Sequence, residues 1–122
     1  MGVANCIIKF SFEDFNENQI LNDLDKLNTT IWFLNDNERS SLKTLFCLIN
    51  KKDRILTLFF TIKKTSHGTV TIREDTFLNL FKNNIEFLNF NSAQCVSKDD
   101  FIICLENLFK NNFEWFPVPK SF

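Results

Sequence analysis

Glycine and proline are nearly absent from this chain, with two of each in 122 residues. The only glycines are Gly2 and Gly68, so a glycine-rich loop that cradles phosphate is excluded. The scarcity of both residues also argues against low-complexity sequence and long disordered linkers. Tyrosine is missing, and His67 is the only histidine. A catalytic or metal-binding imidazole needs partners, and the chain offers no second His and no H-x-x-E spacing. No apolar run approaches the ~20 residues that a membrane-spanning helix requires. The net charge is −1, which gives no global field toward nucleic acid or a membrane surface. The four cysteines, Cys6, Cys47, Cys95 and Cys104, form no C-x-x-C pair. Met1-Gly2-Val3-Ala4-Asn5 does not read as a secretory leader. The expectation is a cytoplasmic protein with reduced thiols, of which Cys47, Cys95 and Cys104 sit in apolar surroundings.

What the chain does have is phenylalanine, 16 residues of it. Stacked Phe rings bury large area with no hydroxyl to satisfy. At 44% hydrophobic the chain can build a real core, and its length suits a single globular domain over residues 1–122. Charge is segregated along it. Residues 1–42 carry seven acids and three bases, residues 43–73 seven bases and one acid, and residues 74–122 seven acids and four bases.

The apolar spacing predicts a mixed order of elements. Cys6, Ile8, Phe10 and Phe12 alternate with polar residues, giving a half-buried strand over 4–12. Ile20, Leu24 and Leu27 form one stripe of a helix over 16–27, with Glu13, Asp14 and Glu17 at its N-terminal end, where the helix dipole favours negative charge. Ile31-Trp32-Phe33-Leu34 reads as a short strand, and Asn35-Asp36-Asn37 as a break. Leu42, Leu45, Phe46 and Ile49 fit helical spacing, so a helix is expected over 38–50, with a strand the competing reading at 45–49. Ile55 to Lys64 has apolar residues on both faces and reads as a central strand. Thr65-Ser66-His67-Gly68 is an expected hairpin loop leading to a partner strand with Val70 and Ile72. A helix with Phe77, Leu80 and Phe81 follows, then a strand over 85–90. Ser97 and Asp100 have the spacing of a capping box. The helix it opens carries the stripe Phe101, Ile102, Leu105, Leu108 and Phe109. A last strand over 113–116 stops at Pro117. The expected fold is α/β of the α+β kind. It is a two-layer sandwich as in ferredoxin-like folds, with a mixed sheet of five or six strands and helices mainly on one face.

Ten residues recur within this pattern. Asn79-Leu80-Phe81-Lys82-Asn83-Asn84-Ile85-Glu86-Phe87-Leu88 returns as Asn107-Leu108-Phe109-Lys110-Asn111-Asn112-Phe113-Glu114-Trp115-Phe116. Each copy reads as a helix end, an Asn-Asn stop and a short strand, because Asn tolerates the left-handed backbone that closes helices.

Candidate chemistry is sparse. A Cys nucleophile would need an activating base, and only His67 carries an imidazole. The paired carboxylates Glu13-Asp14, Asp23 with Asp25, and Asp99-Asp100 fit helix ends and solvated faces better than acid–base catalysis. Lys51, Lys52 and Arg54 flank one end of the central strand and Lys63-Lys64 the other, so they do not make one patch for nucleic acid. The acids Glu13, Asp14, Glu17, Asp23 and Asp25 form the remaining candidate surface. Such a surface suits a basic protein partner through steering and phosphate mimicry.

His67-Gly68-Thr69-Val70-Thr71-Ile72, Phe77-Leu78-Asn79-Leu80-Phe81 and Ile85-Glu86-Phe87-Leu88, with the segment around Trp32, resemble a pattern of small bacterial toxin-immunity proteins. The resemblance lies in apolar spacing and brings no binding residue with it. It implies a protein that neutralises a cognate toxin by binding, without catalysis. The expectation is therefore a non-enzymatic, cofactor-free binding protein that inhibits or sequesters a protein partner, most concretely a basic toxin domain. Glu13, Asp14, Glu17, Asp23 and Asp25 are the candidate contact residues. The competing readings are a homodimeric adaptor joined through the last strand and a nucleic-acid binder using the basic middle.

Overall fold

The computed structural model describes residues 3–37, 40–64 and 85–116. Five strands and two helices occur among these residues: β1 (Val3–Ser11), α1 (Glu17–Asn37), β2 (Ser40–Asn50), β3 (Ile55–Lys64), β4 (Asn89–Val96), α2 (Lys98–Lys110) and β5 (Glu114–Phe116). The strands form one sheet in the order β4-β1-β3-β2-β5. β3 is central, as its two apolar faces require. The class is α+β, as expected, but every described pairing is antiparallel, so the sheet is not mixed. β1 and β2 run the same way with β3 inserted between them, which makes β1-α1-β2 a split βαβ unit.

The side-chain alternation of the strands sorts two apolar sets onto opposite faces. Cys6, Ile8 and Phe10 of β1 lie opposite Phe60, Leu58 and Leu56 of β3. With Cys47 and Ile49 they form the larger core, joined by Ile20, Leu24 and Leu27 of α1. The longer helix and the larger core thus share one face, which forms the two-layer part of the fold. Ile7, Leu48 and Phe59 point to the other face and pack with Phe101 and Leu108 of α2. Each fully buried aliphatic or Phe side chain contributes about 1.5–3 kcal/mol.

Two segments differ from the sequence expectation. Residues 31–34 are not a strand but continue α1 without a break. The apolar spacing Ile20, Leu24, Leu27, Ile31, Leu34 alternates four and three along one helical stripe, and no Gly or Pro interrupts it. Residues 40–50 are a strand and not a helix. The competing reading at 45–49 is the correct one. Phe46 and Leu48 supply one face and Cys47 and Ile49 the other, and β2 pairs with β3 throughout, with a register shift between Leu42 and Leu45.

The starts of both helices and the stop of α2 follow the sequence, whereas α1 runs ten residues past its expected end at residue 27. Asn16 caps α1, its side-chain Oδ1 accepting from Gln19 N at 3.1 Å. Ser97 caps α2, its Oγ accepting from Asp100 N at 3.1 Å. α2 ends at the Asn-Asn stop: Asn112 has φ 66°, and Phe113 N donates to Leu108 O at 3.1 Å. The first copy of the repeat differs. Its residues 79–84 lie outside the described residues, and Glu86 to Leu88 form bends, with the strand starting only at Asn89. The expected hairpin at 65–68, the strand with Val70 and Ile72, the helix with Phe77, Leu80 and Phe81, and His67 also lie outside the described residues.

Candidate binding surface

The segment between β1 and α1 is short, acidic and tied down from three sides. Phe12 N donates to Arg54 O at 3.2 Å, and Arg54 Nη1 donates to Glu13 O at 3.2 Å. Lys51 Nζ lies 4.6 Å from the centroid of the Phe15 ring and 3.2 Å from the Glu114 carboxylate. The Phe15 ring meets Phe12 and Phe116 edge-on, each at 6.4 Å between centroids. The turn supplying Arg54 and Lys51 is itself fixed. Asn50 Oδ1 accepts from Asp53 N at 2.8 Å, and Asn50 Nδ2 donates to Asn111 O at 3.1 Å. Arg54 takes a left-handed backbone, φ 59°. Two bases of the middle segment thus serve as tethers for the acidic loop.

The candidate acids divide. Glu13, Asp14 and Glu17 are exposed on this loop and the first turn of α1, and Asp25 is exposed further along the helix. Asp23 is not available to a partner. It is 2% exposed, and its carboxylate accepts the backbone N–H of Glu86, Phe87 and Leu88 at 3.2, 2.9 and 2.7 Å. The reason is local: residues 85–88 are bent out of any ladder, and one carboxylate satisfies three amides that would otherwise be orphaned. An open cleft of about 470 Å³ lies beside this clamp, bordered by Gln19, Asp25 and the Lys26–Glu86 ion pair at 3.3 Å.

Phe15 is the residue that sequence reasoning missed. It is 39% exposed amid Glu13, Asp14 and Glu17. The signal was its position: it breaks the alternation of β1 and precedes the helix cap. A second apolar surface was also missed. Ile102 and Phe109, placed by the sequence on the buried stripe of the last helix, are exposed, as are Ile103 and Trp115. α2 meets the sheet through Phe101 and Leu108 alone as buried residues, with Cys104 and Leu105 partly buried between them. That stripe is narrower than the sequence pattern, and Phe109 instead meets Trp115 at 5.2 Å between ring centroids.

The two buried thiols, Cys6 and Cys47, are not activated. None of the four cysteines is in a disulfide. Burial pushes the Cys47 thiol far up. A hydrogen bond with Cys95, together with burial, raises Cys6 as well. Both therefore keep their protons at neutral pH. Cys95, expected inside, is exposed, and Cys104 is partly so. No group of three or more His, Cys, Asp or Glu able to hold a metal ion occurs among the described residues. No helix among them is long and apolar enough to cross a membrane.

No protein-family model matches the chain, and neither a curated protein nor a solved structure matches it.

Proposed function

We propose that this chain is a non-enzymatic binding protein that inhibits or sequesters a basic protein partner. A toxin-immunity protein acting in the cytoplasm is its most concrete form. The observation that carries the reading is Phe15, a partly exposed aromatic ring on a segment whose carboxylates Glu13, Asp14 and Glu17 are also exposed. Protein interfaces concentrate affinity in aromatic anchors at their centre and surround them with a polar rim. The loop is held by Arg54, Lys51 and the Asn16 cap. A partner therefore meets a preformed surface and little ordering entropy opposes binding. The carboxylates would steer and occupy a cationic, phosphate-binding face, while Phe15 fills a neighbouring apolar pocket and blocks access.

Co-expression tests this reading. The product of the reading frame next to this gene is expressed with the wild-type chain or with a Glu13→Lys/Glu17→Lys variant. Growth arrest that the wild type relieves and the folded variant does not is the expected result. A neighbour that is neither toxic nor bound by the wild type refutes the immunity form.

A second reading, a homodimeric adaptor, is favoured by β5. It is an edge strand of three residues carrying Trp115 at 57% exposure. Sedimentation equilibrium separates the two, because a dimer lost in Trp115→Ser would support the adaptor.

A further inference from the structure

Cys6 and Cys95 are direct partners in the antiparallel β1–β4 ladder. Their side chains point to the same face, and their Sγ atoms are 3.9 Å apart. The two environments are unequal: Cys6 is fully buried and Cys95 is exposed on the edge strand β4. Directly opposed residues of an antiparallel pair have Cα atoms about 4.5–5.5 Å apart, inside most of the range of about 4.4–6.8 Å that a disulfide spans. A rotation about χ1 is therefore enough to bring the sulfurs into bonding distance, and no backbone shift is needed. Cys47 and Cys104 have no such partner, since they lie on opposite faces of the sheet, in the larger and the smaller core.

We propose that Cys6 and Cys95 form an oxidant-sensitive dithiol that a peroxide converts into a cross-strand disulfide, locking the edge strand β4 to β1. Cys95 is the attacking residue, because it is accessible, whereas Cys6 is buried and keeps its proton. The Cys95 thiolate attacks one peroxide oxygen. An S–O bond forms, the O–O bond breaks, and the leaving hydroxide takes up a proton to become water. Cys95 is then a sulfenic acid. The Cys6 sulfur attacks the Cys95 sulfur, the S–S bond forms, and the S–O bond breaks. The departing hydroxide takes the Cys6 proton and leaves as a second water. The dithiol has lost two hydrogens and the peroxide has been reduced to two waters. The burial of Cys6 makes this second step internal, so oxidation resolves within the chain and not between copies.

The test uses the full reduced chain, exposed to hydrogen peroxide and then unfolded and alkylated without reductant. Mass spectrometry should show a fall from four alkylated thiols to two, with one linked peptide pair joining Cys6 to Cys95. Dithiothreitol should restore all four. The exposed-site variant Cys95→Ser should keep all three of its remaining thiols alkylatable under the same treatment, which avoids any dependence on the folding of a Cys6 variant. The proposal is overturned if all four thiols of the wild type stay alkylatable. It is equally overturned if Cys95 ends as a sulfinic acid or an intermolecular disulfide while Cys6 still alkylates.

Discussion

Asp23 and Leu88 are joined by a 2.7 Å hydrogen bond from the Leu88 amide to the Asp23 carboxylate, across 65 positions of sequence. With the bonds from Glu86 and Phe87 it fastens α1 to the segment that leads into β4. An amide that loses a charged acceptor in a buried setting costs about 1–3 kcal/mol, and hydrogen bonds to charged groups contribute about 1.5–3 kcal/mol. Asp23→Ala should therefore lower unfolding free energy by roughly 3 kcal/mol, measured by urea denaturation. A loss under about 0.5 kcal/mol, the size of an ordinary surface change, would show that the clamp is unimportant.

Leu108 and Phe109 are neighbours with opposite fates, one buried and one exposed. Leu108→Ala should cost about 2–5 kcal/mol, the range for a core leucine. Phe109→Ala should cost much less, because it breaks mainly the ring contact with Trp115. Equal losses in thermal or urea unfolding would contradict the observed face of α2.

Asn112 closes α2 with φ 66°. Glycine adopts that region freely, whereas a β-branched residue meets a steric cost of about 1–2 kcal/mol. Asn112→Gly should leave stability nearly unchanged and Asn112→Val should lower it by about that amount. The reverse order in a urea titration would mean that the turn is not held left-handed.

The legible parts of the sequence were those where one signal stood alone. The alternation in β1, the two-sided apolar run of β3, the Ser97 cap and the Asn-Asn stop each had a single reading. The illegible parts had two signals in conflict. Residues 45–49 fit helical spacing, yet their unbroken apolar run suits a strand covered on both faces, and pairing with β3 decided it. Ile31 and Leu34 read as a strand only when separated from the stripe that begins at Ile20. The two copies of the repeat share residues but not structure at their ends. Glu114-Trp115-Phe116 joins the edge of the sheet, while the amides of Glu86, Phe87 and Leu88 are taken by Asp23. A contact so distant in sequence has no local signature. For the same reason Asp23 looked like one more surface acid.

The acidic loop around Phe15 carries the functional account, and association kinetics with the neighbouring gene's product test it most directly. Glu13, Asp14 and Glu17 are exposed, so reversing Glu13 and Glu17 to Lys should shift stability only within about 0.5 kcal/mol per site. The same change should slow association by about tenfold or more at low salt and flatten its dependence on ionic strength, since steering by rim charges acts on the on-rate. Phe15→Ala should instead speed dissociation. An association rate and salt dependence identical to wild type in the folded Glu13→Lys/Glu17→Lys variant would contradict the account.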